Sequence, residues 1–493
     1  MSPAIRSEIK TIQPSRFSHP SPSKDPVERI ARYDELAERR GTFRRRNAYY
    51  HSEIERAYRF VVPEGQSVLE IGCATGDLLA ALKPRRGVGI DFSPRMLEIA
   101  SSRYPHLEFS EMDAESLLPS ETFDYVIISG LVGDLDDIQL FFQRLRQVTR
   151  PETRIIIDYY NHLWEPVVRL AEFVGLKMPL RYQNWLPLSD IENLLYLNDY
   201  EVVRKSHRLL LPKRIPPLTT LFNRFLANLP GLRRLCLVTM LVSKERGWLR
   251  NPDEFTCTVL IPCRNERGNI RDAVRRTPAM GAHTELIFVD GNSQDGTPEE
   301  ITKVMTEYPE KDIKLIHQGD GVGKGDAVRK GFAAATGDVL MILDADLTVQ
   351  PEDLPKFFNA LLEGKGEFIN GTRLVYQMEK QAMRFLNLLG NKFFGAAFTW
   401  LLDQRLRDTL CGTKVLLKRD YEKITRDRSF FGDFDPFGDF DLLFGAAKQH
   451  LKITEVPIRY KERTYGTTNI SRFSHGWLLL KMCGVAMRKL KFV

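Results

Sequence analysis

Residues 68–77 read VLEIGCATGD, an apolar run that leads into two glycines, Gly72 and Gly76. This pattern predicts a buried strand and a tight turn, because glycine lets the backbone approach a ligand at the carboxyl end of a strand. The same order of elements returns in CTVLIPCRNERGNI (257–270), which is followed by a second apolar strand, ELIFVD (285–290). Strands that alternate with helical stretches indicate parallel sheets covered on both faces. The sequence therefore predicts an α/β protein with two doubly wound domains.

Composition sets the broad class of the chain. Of its 493 residues, 43% are hydrophobic and 27% charged, which excludes collagenous, coiled-coil and wholly disordered proteins. The formal net charge of +7 is small for this length and gives no argument for nucleic acid as a partner. Six scattered cysteines without a CxxC pair argue against a disulfide framework or a structural zinc site and fit a reducing cytosol.

Shifts in composition divide the chain into four parts. They are a flexible tail (1–26), a first domain with a helical lead-in (27–245), a linker (246–256), and a second domain with a C-terminal amphipathic helix (257–493). The start lacks the apolar core of a secretory signal, and no apolar run approaches the ~20 residues of a membrane-spanning helix. We therefore expect both domains to face the cytoplasm.

Acidic residues follow the predicted strands of the first domain. The glycine spacing is GxxxG, and a dinucleotide fingerprint would need glycine at Ala74 and Asp77, so a nicotinamide cofactor is disfavoured. The strand GVGI ends in Asp91, whose carboxylate is suited to accept hydrogen bonds from ribose hydroxyls. The strand LEFSEM leads to Asp113, placed to meet an adenine edge, and DYVIIS has Ser129 at its tip.

This series resembles the class I S-adenosylmethionine-dependent methyltransferases, from about Val68 to Val242. The resemblance implies a Rossmann-like domain that binds S-adenosylmethionine. The cofactor-binding residues would be Glu70, Gly72, Gly76, Asp91, Met112, Asp113 and Ser129. A ligand-free turn at the glycines and a plain helix cap at Asp113 are the structural alternatives.

The methyl acceptor is less well defined. The stretch after the fourth strand, SGLVGDLDD, lacks the signature of enzymes that methylate nucleobase amines, which leaves small molecules, sugars and lipid head groups. Tyr159, Tyr160, Asn161 and His162 follow the strand RIIID, where acceptor-side residues would lie. For His162, a loop histidine without a role is an equal alternative.

Two carboxylates mark the second domain. Asp344 and Asp346 follow the apolar run VLMIL, and carboxylates this close at a strand end repel each other unless a cation neutralises them. Mg²⁺ or Mn²⁺ bridging to a diphosphate is the natural partner. Asp290 ends an earlier strand and is suited to a nucleoside, and Lys324 lies in the glycine-punctuated loop GVGKG.

Residues 257 to about 470 resemble glycosyltransferase family 2, in the branch that contains the polyprenyl-phosphate mannosyl- and glucosyltransferases. The resemblance implies a GT-A-type fold, a nucleotide-sugar donor and inversion at the anomeric carbon. The donor-binding residues would be Pro262, Asn265, Glu266, Asp290, Lys324, Asp344 and Asp346, with the metal held by the last two. This chain departs from the family at Gly291, which replaces a second Asp, and at Thr348, where Gln is common.

The acceptor of the second domain decides its mechanism. A polyprenyl phosphate is already anionic near neutral pH and needs cations, for which Arg373 and Arg463 are the candidates. A sugar hydroxyl would instead need a carboxylate base, either Asp439 or Asp408.

Basic residues concentrate beside the domain junction. Residues 207–252 contain nine Lys or Arg and a single acid, Glu245, among apolar residues at helical intervals, and the C-terminus WLLLKMCGVAMRKLKFV has a similar mixture. Such segments either lie in a lipid interface or pack on their own domain. We hypothesise peripheral contact with the inner face of the cell membrane.

The combined prediction is a bifunctional transferase that joins a methyltransferase to a glycosyltransferase, of use in the synthesis of envelope polysaccharides or glycolipids. The alternative is a single glycosyltransferase whose methyltransferase-like domain has lost catalysis and serves as a binding or docking module.

Overall fold

A computed structural model describes residues 26–116, 118–179, 183–321, 323–373, 375, 385–426, 438–461, 463, 465 and 472–492. Two seven-stranded sheets, covered by helices, occupy residues 67–245 and 256–457. The predicted pair of doubly wound α/β domains is confirmed.

The first sheet has the strand order β3-β2-β1-β4-β5-β7-β6. Its strands are β1 (Ser67–Ile71), β2 (Arg86–Asp91), β3 (Glu108–Glu111), β4 (Tyr125–Ser129), β5 (Arg154–Tyr160), β6 (Tyr200–Arg208) and β7 (Val238–Glu245). Its helices are α1 (Pro26–Arg46), α2 (Ala48–Val61), α3 (Asp77–Ala81), α4 (Pro94–Arg103), α5 (Ile138–Arg144), α6 (Glu165–Phe173) and α7 (Leu188–Leu197). The neighbours of β1 are β2 and β4, so the strand order reverses beside β1, where open α/β sheets bind ligands.

The second sheet has the strand order β10-β9-β8-β11-β13-β12-β14. Its strands are β8 (Thr256–Cys263), β9 (His283–Asp290), β10 (Asp312–His317), β11 (Val339–Ile342), β12 (Phe368–Thr372), β13 (Lys414–Leu417) and β14 (Ile453–Pro457). Its helices are α8 (Arg267–Arg276), α9 (Thr297–Glu307), α10 (Gly323–Ala334), α11 (Leu354–Leu362), α12 (Phe385–Leu402), α13 (Lys418–Arg426), α14 (Asp439–Lys448) and α15 (Arg472–Ala486). Here the order reverses beside β8, between β9 and β11.

Both sheets are mixed, whereas the sequence pattern predicted parallel sheets. In the first sheet β7 runs antiparallel to β5 and β6, and in the second β13 runs antiparallel to β11 and β12. The strands of the parallel core are apolar almost throughout, as expected for strands buried on both faces. The antiparallel strands come late in each sheet: β7 follows β6 through an irregular connection, and β13 follows β12 through a connection that contains α12. The alternation of strands and helices in the sequence does not fix the direction of such later strands.

A buried ion cluster joins the two domains. The Arg154 guanidinium of β5 donates to both oxygens of Glu367, each at 2.9 Å, and Lys244 of β7 lies 3.4 Å from the same carboxylate. These side chains are 6%, 11% and 7% exposed, respectively. Burial works to raise the pKa of Glu367, but Arg154 and Lys244 outweigh it and lower that pKa to about 2. Arg154 also donates to the His450 carbonyl at 3.0 Å, so a strand of the first domain is bonded to two segments of the second.

Apolar packing continues across the same boundary. One cluster of buried side chains includes Tyr58 and Phe60 of α2 together with Phe440 and Phe444 of α14. The Lys448 ammonium, at the end of α14, lies 4.2 Å above the Phe60 ring and donates to the Phe60 carbonyl at 2.6 Å. The two domains therefore share core as well as charge.

Two further observations concern the cysteines and the lengths of the helices. All six cysteines are buried free thiols. Within the described part of the chain, no helix combines the length and the apolar character needed to cross a lipid bilayer.

We expect Glu367→Gln to lower the free energy of unfolding by about 3–5 kcal/mol, because it leaves two buried cations without their counter-charge. The loss should be largest above pH 4.5 and shrink as the pH falls towards 2, since a carboxylate with a lowered pKa stabilises the fold only while it is ionised. Thermal unfolding across this pH range measures it. Glu363→Gln, which removes half of an exposed pair with Lys365, is the control and should change little. Equal effects of both variants would contradict this account.

Candidate active sites

A cavity of about 470 Å³ lies at the carboxyl ends of β1, β2, β4 and β5. Four of the predicted cofactor residues line it: Glu70, Gly72, Asp91 and Ser129. The turn after β1 requires glycine, since Gly72 and Gly76 have φ angles of +75° and +70°. A Cβ on Gly76 would also meet the Phe109 ring at 2.7 Å. The predicted glycine turn therefore forms one wall of a real cavity.

Hydrogen bonds to the backbone fix the two acids of this cavity. Asp91 accepts from the Ala74 amide at 2.8 Å and from the Ser93 amide at 3.0 Å, and Glu70 accepts from the Leu79 amide at 3.0 Å. Burial raises the pKa of both carboxyls, although these bonds oppose it, and brings that of Glu70 to about 8. Asp91 holds the turn against β2 and presents its carboxylate to the cavity.

The remaining predicted cofactor residues lie around the cavity and do not line it. Gly76 precedes α3, Met112 packs on the core, and Asp113 accepts from the Glu115 amide at 3.1 Å. Asp113 is also 3.9 Å from Arg29, which does line the cavity. Its expected place at an adenine edge stays a prediction.

Helix α1, predicted only as a lead-in, covers the cavity. Its Arg29 lies 4.5 Å above the Phe92 ring, and its Tyr33 hydroxyl donates to Asp134 at 3.1 Å. Burial raises the pKa of Asp134 to about 6, although Tyr33 opposes it. The helix therefore closes the side of the cavity that the sheet leaves open.

Asp158 is a site residue that sequence reasoning missed. It lies in β5 beside Ser129 of β4, is 2% exposed, lines the cavity, and accepts a hydrogen bond from the Tyr58 hydroxyl. Burial raises its pKa to about 6, although the bonds from Ser129 and Tyr58 oppose the rise. The sequence did contain a clue to this residue, because Asp158 is an acid within the otherwise apolar strand RIIIDYY, and an acid in a buried strand needs a functional or structural partner.

The four candidate acceptor residues after Asp158 separate in the structure. Tyr160 lines the cavity, whereas Tyr159 packs in the core. Asn161 donates to the carbonyls of Arg234 and Cys236, and His162 is exposed. Only Tyr160 is therefore placed to touch an acceptor.

Cations from α1 and a histidine from α2 share one wall of the cavity. Arg44 pairs with Glu55 and lies 3.8 Å from Asp77. Burial, helped by Arg44 and Arg40, lowers the pKa of His51 to about 4, which leaves the imidazole neutral near pH 7. Arg40 and Arg44 thus contribute to this wall of the site.

The second site lies at the carboxyl ends of β8, β9 and β11. Asp290, 2% exposed, accepts from the Ser293 amide at 3.2 Å through one oxygen. Its other oxygen is buried with no partner among the described residues. A buried carboxylate oxygen without a donor is costly, so this atom fits a ligand that donates a hydrogen bond.

The first loop of this site is held by its neighbour after β9. Asn265 adopts φ +58° and accepts from the Gln294 amide at 2.8 Å, while its own amide donates to Ser293 at 2.9 Å. Glu266 accepts from the Asn269 side chain at 2.7 Å, and Pro262 lies in β8. Pro262, Asn265 and Glu266 thus converge with Asp290 at one edge of the sheet.

Each of the paired aspartates meets a cation from a distant segment. Lys324 lies 2.5 Å from Asp344, and Arg463 lies 2.7 Å from Asp346 and 3.4 Å from Glu266. Burial works to raise the pKa of Asp344, but Lys324, Lys414 and Arg373 outweigh it and lower that pKa. Asp344 is therefore held ionised, the state in which a carboxylate binds a divalent cation.

Two carboxylates form an incomplete cation site by themselves. Among the residues that the structure describes, no group of three His, Cys, Asp or Glu side chains comes together in metal-binding geometry. Thr348 donates to Asp346 at 2.8 Å, so it supports this carboxylate where the family commonly has Gln. The donor set fits a cation that takes its other ligands from a diphosphate and water.

Arg373 and Asp408 bind each other. The guanidinium donates to both oxygens of Asp408, at 2.7 and 2.8 Å, and Asp408 is 0% exposed. Burial works to lower the pKa of Arg373, but Asp408 outweighs it and raises that pKa. A carboxylate with both oxygens bonded to a guanidinium is a poor proton acceptor, which favours Asp408 as a positioning residue over a base. The other candidate base, Asp439, begins α14, but its side chain lies outside the described residues.

Family models match both halves of the chain. Residues 68–152 match the model of a methyltransferase domain, and residues 258–425 match the model of glycosyl transferase family 2.

Similar curated proteins include dolichol-phosphate mannosyltransferases. Dolichol-phosphate mannosyltransferase of Pyrococcus furiosus is 28% identical over 248 residues, which cover 48% of this chain and 66% of that protein. Dolichol-phosphate mannosyltransferase of Saccharomyces cerevisiae is 38% identical over 121 residues, 24% of this chain and 44% of that protein. The chain thus spans between about two fifths and two thirds of the length of these two relatives.

Among solved structures, a SAM-dependent methyltransferase from Thermotoga maritima aligns with 43% of this chain and 98% of its own, at 17% identity and a TM-score of 0.36.

Proposed function

We propose that this chain, which carries a methyltransferase domain and a family 2 glycosyltransferase domain, is a bifunctional transferase. One observation carries the proposal: each sheet reverses its strand order beside a crevice that gathers buried or ion-paired carboxylates at strand ends. A domain kept only for docking would have no use for Asp91, Glu70 and Asp158 buried around a cavity of this size.

For the second domain we propose a nucleotide-sugar donor. The unpartnered oxygen of Asp290 would accept from the base, and Asp344 and Asp346 would hold Mg²⁺ or Mn²⁺. The metal, when bound, supplies positive charge for the diphosphate leaving group. Lys324 already lies against Asp344, so it would meet the same phosphate oxygens.

For the sugar acceptor we propose a polyprenyl phosphate, in line with the names of the relatives. A phosphate nucleophile is anionic near pH 7 and needs no base, which agrees with the engagement of Asp408 by Arg373. Arg463 would orient the acceptor once a divalent cation takes its place beside Asp346, whereas Arg373 is engaged by both oxygens of Asp408. A glycan hydroxyl would depend on Asp439 as base instead.

For the first domain we propose that S-adenosylmethionine binds along Gly72, Asp91 and Ser129. When bound, it supplies the methyl group and its own leaving group, so alignment provides much of the catalysis. Asp158 lies at the same cavity and would accept the proton of an acceptor hydroxyl, with Tyr58 holding the carboxylate in place.

We expect Asp91→Ala to abolish S-adenosylmethionine binding, measured by calorimetry, and to leave sugar transfer unchanged. Asp344→Ala should do the reverse, because the two residues line separate crevices. Sugar transfer is followed as nucleoside diphosphate release from a panel of nucleotide sugars with Mn²⁺, with and without polyprenyl phosphate. Wild-type protein that binds no S-adenosylmethionine would leave the docking-module alternative.

Gly412→Ala should reduce sugar transfer at least a hundredfold. A Cβ there would stand 1.9 Å from Asp344 Oδ2 and 2.6 Å from Lys324 Nζ, so the carboxylate and its cation would have to move. Gly390→Ala in α12, where a Cβ meets nothing within 4 Å among the described atoms, is the matched control and should keep full activity. Comparable losses in both variants would contradict the assignment of this site.

Methyl transfer should rise with pH through about 6 and level off above 7, because Asp158 must be ionised to accept a proton. Asp158→Asn should lower the rate by a factor of about 10²–10⁴ and remove this rise. Asp134→Asn is the control, since Asp134 lines the same cavity and also has a pKa of about 6 but is assigned no part in proton transfer. The measurement is incorporation of radiolabelled methyl groups into the small-molecule, sugar and lipid fractions of a cell extract. A pH rise that follows Asp134 would refute the role of Asp158.

A further inference from the structure

Exposed apolar side chains concentrate in two segments of the first domain. Among the described residues, 25 large apolar side chains are exposed, and 14 of them lie within residues 163–176 or 215–235. The first segment contains α6 and has Phe173 at 88% and Leu170 at 60% exposed. The second has Leu221 at 49% and Phe225 at 44% exposed. We call the exposed apolar side chains of these two segments the apolar face.

The two segments are bonded to each other at both ends. The Trp164 indole N–H donates to the Leu235 carbonyl at 2.8 Å, and Asn161 donates to the Arg234 carbonyl at 2.8 Å. At the other end, Asn47 links them, because it donates to the Leu176 carbonyl at 3.0 Å and accepts from Lys213 at 2.7 Å. The apolar face is therefore one surface.

The second segment carries charge of one sign, and the two acids of the first segment, Glu165 and Glu172, are each paired with a neighbouring cation. No Asp or Glu occurs between Leu209 and Lys244, whereas Arg214, Arg224 and Arg234 are exposed among the apolar side chains. A concentration of exposed apolar side chains on one surface marks an interaction site. Apolar side chains with interspersed arginines are the combination that inserts into the head-group region of an anionic bilayer.

The same charge argues against a second copy of the chain as the partner. A two-fold interface would bring this face against itself and bury its three exposed arginines together, while the two acids of the first segment, Glu165 and Glu172, are already paired with other cations. We propose that the apolar face docks the protein on the surface of an anionic lipid bilayer.

Docking would bring the methyltransferase cavity to the lipid. Val167 and Leu176 belong to the apolar face, at 53% and 48% exposed, and they also line the cavity together with Lys213. The residues that would meet the membrane thus also form one wall of the cavity. The methyl acceptor would therefore be a molecule carried in the lipid bilayer. This last step rests on the proposed methyltransferase activity, whereas docking itself does not.

The test is flotation of the full chain with vesicles of phosphatidylcholine alone or with 30% phosphatidylglycerol. We expect the protein to bind the anionic vesicles, and this binding should weaken as NaCl rises from 50 to 500 mM. Arg214→Gln and Arg234→Gln should each lower the affinity for these vesicles by about fivefold. Phe173→Glu and the pair Phe222→Glu with Phe225→Glu should lose at least tenfold in binding.

Leu249→Glu is the matched control, because Leu249 is 81% exposed but lies away from the face. Its neighbour Arg250 lies 4.0 Å from Glu152, at the start of β5, whereas the apolar face adjoins Asn161, after the end of this strand. The two places are separated by about 20 Å, the length of a seven-residue strand. Unchanged unfolding temperatures would show that each variant is folded.

Three results would overturn the proposal: wild-type protein that binds neither vesicle, an equal loss of binding in Leu249→Glu, or a dimer in sedimentation that the Phe222→Glu and Phe225→Glu pair converts to a monomer. S-adenosylmethionine binding is measured separately by calorimetry. A protein that binds vesicles but not S-adenosylmethionine would keep the docking surface and remove the methyltransferase step.

Discussion

Both sites of this protein depend on one constraint of parallel sheets: the carboxyl ends of neighbouring strands meet at one edge, and their acids meet there too. Asp91 and Asp158 come from different strands yet line a single cavity. Asp290 and Asp344 converge in the same way at the second sheet. Carboxylates brought this close must be neutralised, protonated or bonded to donors. The rest of each site is a solution to that electrostatic problem.

The two halves solve it differently. The first domain buries its acids against backbone amides and hydroxyls, which raises the pKa values of Glu70, Asp134 and Asp158 by desolvation. The second domain supplies cations from remote segments, so that Asp344 stays ionised beside Lys324. The first arrangement suits proton transfer and a cofactor bound through its hydroxyls. The second suits a substrate whose leaving group carries negative charge.

Sequence alone predicted the parts of the sites that are local in the chain. Asp91, Asp290 and Asp344 each end an apolar run, and glycine at position 72 permits the positive φ angle that the turn adopts. The partners of these residues could not be predicted, because tertiary folding supplies them. Tyr58 reaches Asp158 across 100 residues, and Arg463 reaches Asp346 across 117. The mutual engagement of Arg373 and Asp408, which changes the roles expected of both, is visible only once β12 lies beside β13.

The shared core between the domains has a consequence for any attempt to divide the chain. A first domain cut after Glu245 would expose Phe60 to water and leave Arg154 and Lys244 without Glu367. A second domain on its own would in turn leave Glu367 without both of its cations. Each half therefore supplies part of the other's core, and the unit of stability is the whole chain rather than either domain.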